Sequence, residues 1–198
     1  VWNHFAVLLD RRVLVPDLPG HGPSAPLPHY SFATLAEAVA RALPDGGPLV
    51  VAGHSLGGVL ALELASDRYD VQVGGVLALG VKVEWSQNDL NRAASFAARP
   101  PRVFATREEA DQAYLKVSGL LGIAPTDPAG LRETEGGWRL AMDPAAFGLG
   151  APDMPALLAG ARCPVVLAAG ENDPMSRPEQ LNALHRRVVT LAGLGHNA

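Results

Sequence analysis

The chain holds a single cysteine among its 198 residues, Cys163, so it can close no disulfide within itself and build no cysteine zinc site. Set in Ala161-Arg162-Cys163-Pro164-Val165, at the start of an apolar run, that thiol reads as a buried structural residue. The six histidines show no HExxH or comparable spacing, so neither a metal nor another cofactor is implied. No apolar run approaches the roughly 20 residues needed to span a bilayer, and the first residues, Val1-Trp2-Asn3-His4-Phe5, carry neither a basic leader nor an initiating Met. The expectation is a soluble, cytoplasmic protein without a membrane partner, whose native start is missing. Sixteen basic residues against twenty acidic ones give a formal charge of −4 and a pI near 5.8. The basic residues are scattered and form no stripe to follow a phosphate backbone, which excludes nucleic acid as the expected partner.

What is present is apolar: 48% of the side chains are hydrophobic, enough for one substantial core. Val13-Leu14-Val15 closes in Pro16-Asp17, and Leu49-Val50-Val51-Ala52 closes in Gly53, as buried parallel strands do. Between them Ser31 can cap a helix whose Leu35, Val39 and Leu43 share one face and which Pro44-Asp45-Gly46-Gly47 ends. The rhythm continues with a helix from Leu56 to about Asp67, a strand from Val73 to Leu79, a strand from Pro164 to Ala169, a helix around Pro178 to Arg186, and a strand from Val188 to Leu191. Five strands with helical crossovers predict an α/β fold: a mostly parallel sheet with helices on both faces. Residues 82–152 break the pattern. They show no comparable apolar strand, a helical stretch from Arg107 to Leu121, and frequent Pro and Gly. They are expected to form a mainly helical cap inserted between the two parts of the core, 1–81 and 153–198, because structureless loops of that length are uncommon.

Gly53-His54-Ser55-Leu56-Gly57 has the pattern Gly-x-Ser-x-Gly, weak alone and stronger in place. Ser55 directly follows an apolar strand and directly precedes a helix. A turn that tight strains the serine, exposes its Oγ, and needs small neighbours; Gly53, Gly57 and Gly58 meet that need. The helix N-terminus offers the Leu56 amide to a developing oxyanion. The competing reading is that Ser55 only caps the helix.

Together with the upstream stretch Val15-Pro16-Asp17-Leu18-Pro19-Gly20-His21-Gly22-Pro23-Ser24, the motif Gly53-His54-Ser55-Leu56-Gly57-Gly58 resembles the α/β-hydrolase family with a cap domain. The resemblance implies a serine nucleophile at Ser55 and a loop at 17–24 that is mainly structural, with His21 as a packing residue. It also implies an acid and then a base downstream. Asp173 in Gly170-Glu171-Asn172-Asp173-Pro174 stands where the family places its acid, with Glu171 the competing carboxylate. His196 in Gly193-Leu194-Gly195-His196 stands where it places its base. His54 is set aside as locked beside the nucleophile and pointing elsewhere, His185 as helical, and His4 and His29 as out of order. Members of the family usually carry further strands before the first motif, including a His-Gly loop that supplies a second oxyanion donor, and continue beyond the base into a final helix. Neither is present, so the sequence reads as truncated at both ends.

The resemblance implies a hydrolase that cleaves an ester, thioester, lactone or activated carbon–carbon bond of a small-molecule acyl substrate through an acyl-serine. Serine at 55, in place of aspartate, argues against relatives that attack with a carboxylate. Trp85, Trp138 and Met142, among Phe96, Phe104, Leu140 and Phe147, are the candidates for substrate contact, against the alternative that most of them form the cap's own core. Two further readings stay open: a ligand-binding protein on the same fold, and an acyltransferase or perhydrolase using the same three residues.

Overall fold

The computed structural model of the chain describes residues 2–44 and 46–197, apart from the side chains of Asn3 and His4; Val1, Asp45 and Ala198 lie outside it. Apolar runs bounded by turn residues become the strands β1 (Leu49–His54), β2 (Val73–Leu79), β5 (Val165–Gly170) and β6 (Val188–Leu191), all parallel, in the order β1-β2-β5-β6. β5 is buried at five of its six positions, as a strand covered on both faces must be. The register places His54 opposite Leu79, Leu79 opposite Ala168, and Gly170 opposite Leu191. The loops that leave the carboxyl ends of β1, β5 and β6 therefore emerge along one edge of the sheet.

Helix α1 (Asn3–Val7) opens the chain. Helix α2 (Phe32–Ala42) starts at Ser31, whose Oγ accepts from Thr34 N at 3.0 Å while Thr34 Oγ1 accepts from Ser31 N at 2.9 Å. Its Leu35, Ala36 and Val39 are buried. Helix α3 (Leu56–Leu64) is buried from Gly58 to Leu64 because it is covered twice: Val59 and Leu62 pack into the sheet cluster, Leu60 and Leu64 against α2. Glu63, caught in this burial, is met by the Arg68 guanidinium and the Tyr69 hydroxyl.

One expectation is corrected and another is extended. Val13-Leu14-Val15 forms no strand: β1 is an edge strand of the described sheet, these residues and β1 line one broad cleft, and Val50 is 80% exposed. An apolar run bounded by turn residues reports the will to be buried; it becomes a strand only where a ladder partner lies alongside. Among the described residues the sheet therefore has four strands in place of five. Residues 82–152 hold not only α4 (Gln87–Ala97) and α5 (Arg107–Val117) but also an antiparallel hairpin, β3 (Leu131–Thr134) and β4 (Gly137–Leu140). β3 holds a single apolar residue, Leu131, and β4 alternates Trp138-Arg139-Leu140, so a search for apolar runs misses them; Leu131, Trp138 and Leu140 face α5 while Arg132 and Arg139 face away. Two short helices complete the order, α6 (Met154–Gly160) and α7 (Pro178–Leu184), whose Met154, Leu157 and Leu181 close the sheet cluster. Cys163 lies just ahead of β5, half-buried, and burial pushes its thiol pKa up.

Candidate active site

The last residue of β1 is His54 and the first of α3 is Leu56, so Ser55 alone makes the turn between them. It pays with backbone strain: φ 52°, ψ −115°, the only positive φ outside glycine among the described residues. Its amide is anchored to Leu79 O at 2.8 Å. The turn closes only because Gly53 lacks a side chain, since a Cβ there would lie 2.0 Å from Gly57 O. Gly58 is similarly confined, with Val81 Cγ2 at 2.6 Å from its would-be Cβ, whereas Gly57 faces open space and is not needed for steric reasons. Ser55 makes no side-chain cap bond to α3, which removes the reading that it serves the helix. Leu56 N and Gly57 N, the first two amides of α3, lie ahead of the helix's own hydrogen bonds, which begin with Gly58 N and Val59 N to Ser55 O at 3.0 and 3.3 Å.

The carboxyl ends of β5 and β6 supply the other two groups. Asp173 is 2% exposed; its Oδ1 accepts from Met175 N at 2.8 Å and Ser176 N at 3.1 Å, which leaves Oδ2 for His196 Nδ1 at 2.9 Å. A carboxylate opposite Nδ1 fixes the tautomer: the ring donates from Nδ1 and presents Nε2 as an acceptor. The loop that carries His196 can pass over β5 because Gly170 has no Cβ, which would lie 2.3 Å from Gly195 O. The His196 ring then reaches the end of β2, where a Cβ on Gly80 would meet its Cε1 at 3.3 Å; Gly80 follows the residue that anchors Ser55. Glu171, the rival carboxylate, is turned to the loop backbone and accepts from Gly193 N at 2.7 Å.

His54, set aside on the sequence as pointing elsewhere, turns instead to the loop that carries His196. Its Nε2 donates to His196 O at 2.7 Å, its ring lies 4.7 Å from the His196 ring, and burial lowers its pKa, against the opposing pull of that carbonyl. The only signal available was its adjacency to Ser55.

Ser55 lines a cleft of about 1410 Å³ that runs along the free edge of β1. Trp85, Phe147 and Met175 share its lining. Trp85 is fixed there by its Nε1, which donates to Lys82 O at 3.1 Å, and by the Lys82 ammonium 5.0 Å over its ring. That ammonium is itself paired with Asp89 at 2.9 Å, which holds the Asp89 pKa down at about 2. The other two substrate-contact candidates lie elsewhere. Trp138 packs with Phe104 against α5 under the Arg107 guanidinium, and Met142 bridges to His21; neither lines the cleft. Among the described residues no cluster of potential metal ligands is present, and no helix is long and apolar enough to cross a membrane.

A strained serine at a helix N-terminus, with an imidazole oriented by a buried carboxylate, is an arrangement able to carry acyl transfer. A family model described as the alpha/beta hydrolase family matches residues 1–198. Lipase LipV of Mycobacterium tuberculosis is 37% identical over 82 residues, 40% of this chain and 31% of that protein. The pimeloyl-[acyl-carrier protein] methyl ester esterase of Methylococcus capsulatus is 46% identical over 67 residues, 33% of this chain and 26% of that protein. Matched segments thus span less than a third of these curated relatives. Among solved structures, E-2-(acetamidomethylene)succinate hydrolase superposes with a TM-score of 0.77 at 20% identity, over 98% of this chain and 79% of that one. The esterase Rv0045c of Mycobacterium tuberculosis gives 0.69 at 25% identity, over 98% and 72%.

Proposed function

The chain belongs to the alpha/beta hydrolase family, and from that premise we propose that it is a serine hydrolase cleaving an ester or related acyl bond of a small molecule. The observation that carries the reading is a strained Ser55 at the end of β1 together with the Asp173–His196 hydrogen bond beyond the ends of β5 and β6. Lipases and esterases among the relatives support the bond type.

In the proposed reaction His196 Nε2 takes the proton of Ser55 as Oγ bonds to the substrate carbonyl carbon. The negative charge that moves onto the carbonyl oxygen is met by the Leu56 amide at the head of α3. Asp173 steadies the imidazolium without itself taking the proton. The imidazolium then protonates the leaving alcohol, and the acyl group stays on Ser55. A water, deprotonated by His196, attacks the acyl carbon; the acid departs and Ser55 regains its proton. Residues 82–152 act as the cap over this site, with Trp85 contributing apolar wall to the acyl pocket.

The test is turnover of a panel of activated esters differing in acyl length, by the wild-type chain and by Ser55→Ala and His196→Ala. Each substitution should lower kcat by about 10⁴ or more. Near-normal turnover by either variant, or a wild-type chain that binds esters without turning them over or being labelled at Ser55 by a fluorophosphonate, would overturn the reading.

A further inference from the structure

His196 is held by more than Asp173. On one side His54, the residue before Ser55, donates to its backbone oxygen at 2.7 Å. On the other, the next residue in the chain, Asn197, donates through Nδ2 to Ser118 O at 3.1 Å and Gly119 O at 2.8 Å. Ser118 is the C-cap of α5 and Gly119 the residue after it, so the amide holds the turn that ends the helix. Two carbonyl partners also settle which end of the amide is the donor. The approach is a built one: Gly119 sits at φ +68°, and a Cβ there would lie 2.6 Å from Asn197 Nδ2. Nothing else in the base loop reaches residues 82–152 through a side-chain hydrogen bond among the described residues.

Given that His196 is the base, we infer that His54 and Asn197 are positioning residues that clamp it from two sides, and that the Asn197 arm makes the base's alignment depend on the seating of α5. His54 must be the Nε2–H tautomer to donate to a carbonyl. Burial lowers its pKa, against the opposing pull of the His196 carbonyl and the Asp173 carboxylate, and so disfavours a second positive charge beside the imidazolium that forms at His196. Asn197 works at the opposite end. A shift of α5 relative to the sheet moves the two carbonyls, the amide follows them, and the ring one residue away leaves the Ser55 side of the site. The placement of α5, and with it of residues 82–152, then governs the rate and not only access.

The experiment is a double-mutant cycle on Asn197→Ala and Gly119→Ala, with His54→Phe and His54→Gln alongside. Turnover of an activated ester is expressed per site labelled by a fluorophosphonate, so that misfolded chains do not count. Each of Asn197→Ala, Gly119→Ala and His54→Phe should lower kcat per labelled site by about 5–30-fold with KM changed less than about threefold, the size expected for loss of one or two hydrogen bonds. Gly119→Ala should cost less once Asn197 is already Ala, because the contact it disturbs is gone and only the backbone strain at φ +68° remains. His54→Gln, which keeps an N–H donor, should recover part of the loss. Additive effects of Gly119→Ala and Asn197→Ala, or wild-type kcat per labelled site in Asn197→Ala and His54→Phe, would overturn the clamp. If Ser55→Ala is inactive while those variants are normal, only the clamp fails; if Ser55→Ala is itself fully active, the assignment of the site fails first.

Discussion

Asp173 gives one carboxylate oxygen to the backbone of its own turn and the other to His196. The first pair of bonds, from Met175 and Ser176 amides, fixes the carboxylate in a pocket 2% exposed, so the direction of the second is not adjustable. That division lets replacement of Asp173 by Asn separate orientation from packing. The Asn side chain fits the same space and its oxygen keeps the two backbone bonds, which leaves its amide facing His196 Nδ1. The ring must then accept at Nδ1 and carry its proton on Nε2, the wrong tautomer for deprotonating Ser55. Asp173→Asn should leave Tm within a few degrees and lower kcat by about 10³–10⁴. Steady-state kinetics with a thermal melt on the same preparation checks both halves.

Glycines 53 and 57 look alike in the motif and are opposite in the structure. A Cβ at Gly53 meets backbone at 2.0 Å, which cannot yield without opening the turn. Gly53→Ala should destabilise the fold by about 3 kcal/mol or more. Gly57 lies in the first turn of α3 with nothing within 4 Å of a Cβ. Gly57→Ala should be neutral or stabilise by up to about 1 kcal/mol through helix propensity. Denaturant midpoints of the two variants against wild type decide it, and equal effects would show that the turn is not where the strain lies.

The same geometry explains how much of the site could be read from the chain. Ser55 was legible because a tight strand-to-helix turn imposes local demands that spell themselves out in adjacent residues, and α2 because capping and a single buried face are local too. Asp173 and His196 were placed by a resemblance, not by physics within reach of the sequence: 23 residues separate the pair, and only the register of β5 and β6 brings them to 2.9 Å. His54 and Asn197 were invisible for the same reason, since their partners lie 142 residues and up to 79 residues away. The expected strand at Val13-Leu14-Val15 failed because pairing is a property of two segments, whereas the pattern describes one.

Strain at Ser55 predicts a trade between stability and activity. At φ 52°, ψ −115° a Cβ is disfavoured and glycine is not. Ser55→Gly should therefore raise unfolding stability by about 1–2 kcal/mol while abolishing turnover, and Ser55→Ala, which keeps the Cβ, should abolish turnover without that gain. Chemical denaturation of the three chains tests the difference. A Gly variant no more stable than the Ala variant would mean that the turn is relaxed.

His54 gives the stability a pH dependence of known sign. Burial lowers its pKa in the fold from the usual 6.5. Between that lowered value and about 6.5 the unfolded chain binds a proton that the folded chain refuses, so stability rises with pH across this window and falls as the pH drops through it. His54→Gln removes the titrating ring. Denaturant midpoints measured from pH 7.5 down to 5 should fall more steeply for the wild type than for the variant, after which the two curves run parallel above pH 7.5. A variant that keeps the full wild-type slope would show that another group carries the dependence.

Trp85 and Trp138 answered the same description in the sequence and should now behave differently. Trp85 lines the cleft beside Ser55, its indole held by Lys82 O and covered by an ammonium that Asp89 already neutralises, so it presents an apolar wall with no free charge. Trp85→Ala should raise KM for long or aromatic acyl esters by roughly tenfold, the loss of about 1.4 kcal/mol of contact, while short acyl esters and Tm change little. Trp138 is part of the packing that seats the β3–β4 hairpin on α5, with Phe104 N and O both bonded to its backbone. Trp138→Ala should cost about 2–4 kcal/mol of local stability, read as faster hydrogen exchange across β3, β4 and α5. Through α5 it should also lower kcat for long and short esters alike, because what it loosens is the support of Asn197 and not the acyl pocket. A Trp138→Ala variant whose defect followed acyl length would put that indole in the pocket after all, and a Trp85→Ala variant indifferent to acyl length would move the pocket away from this cleft.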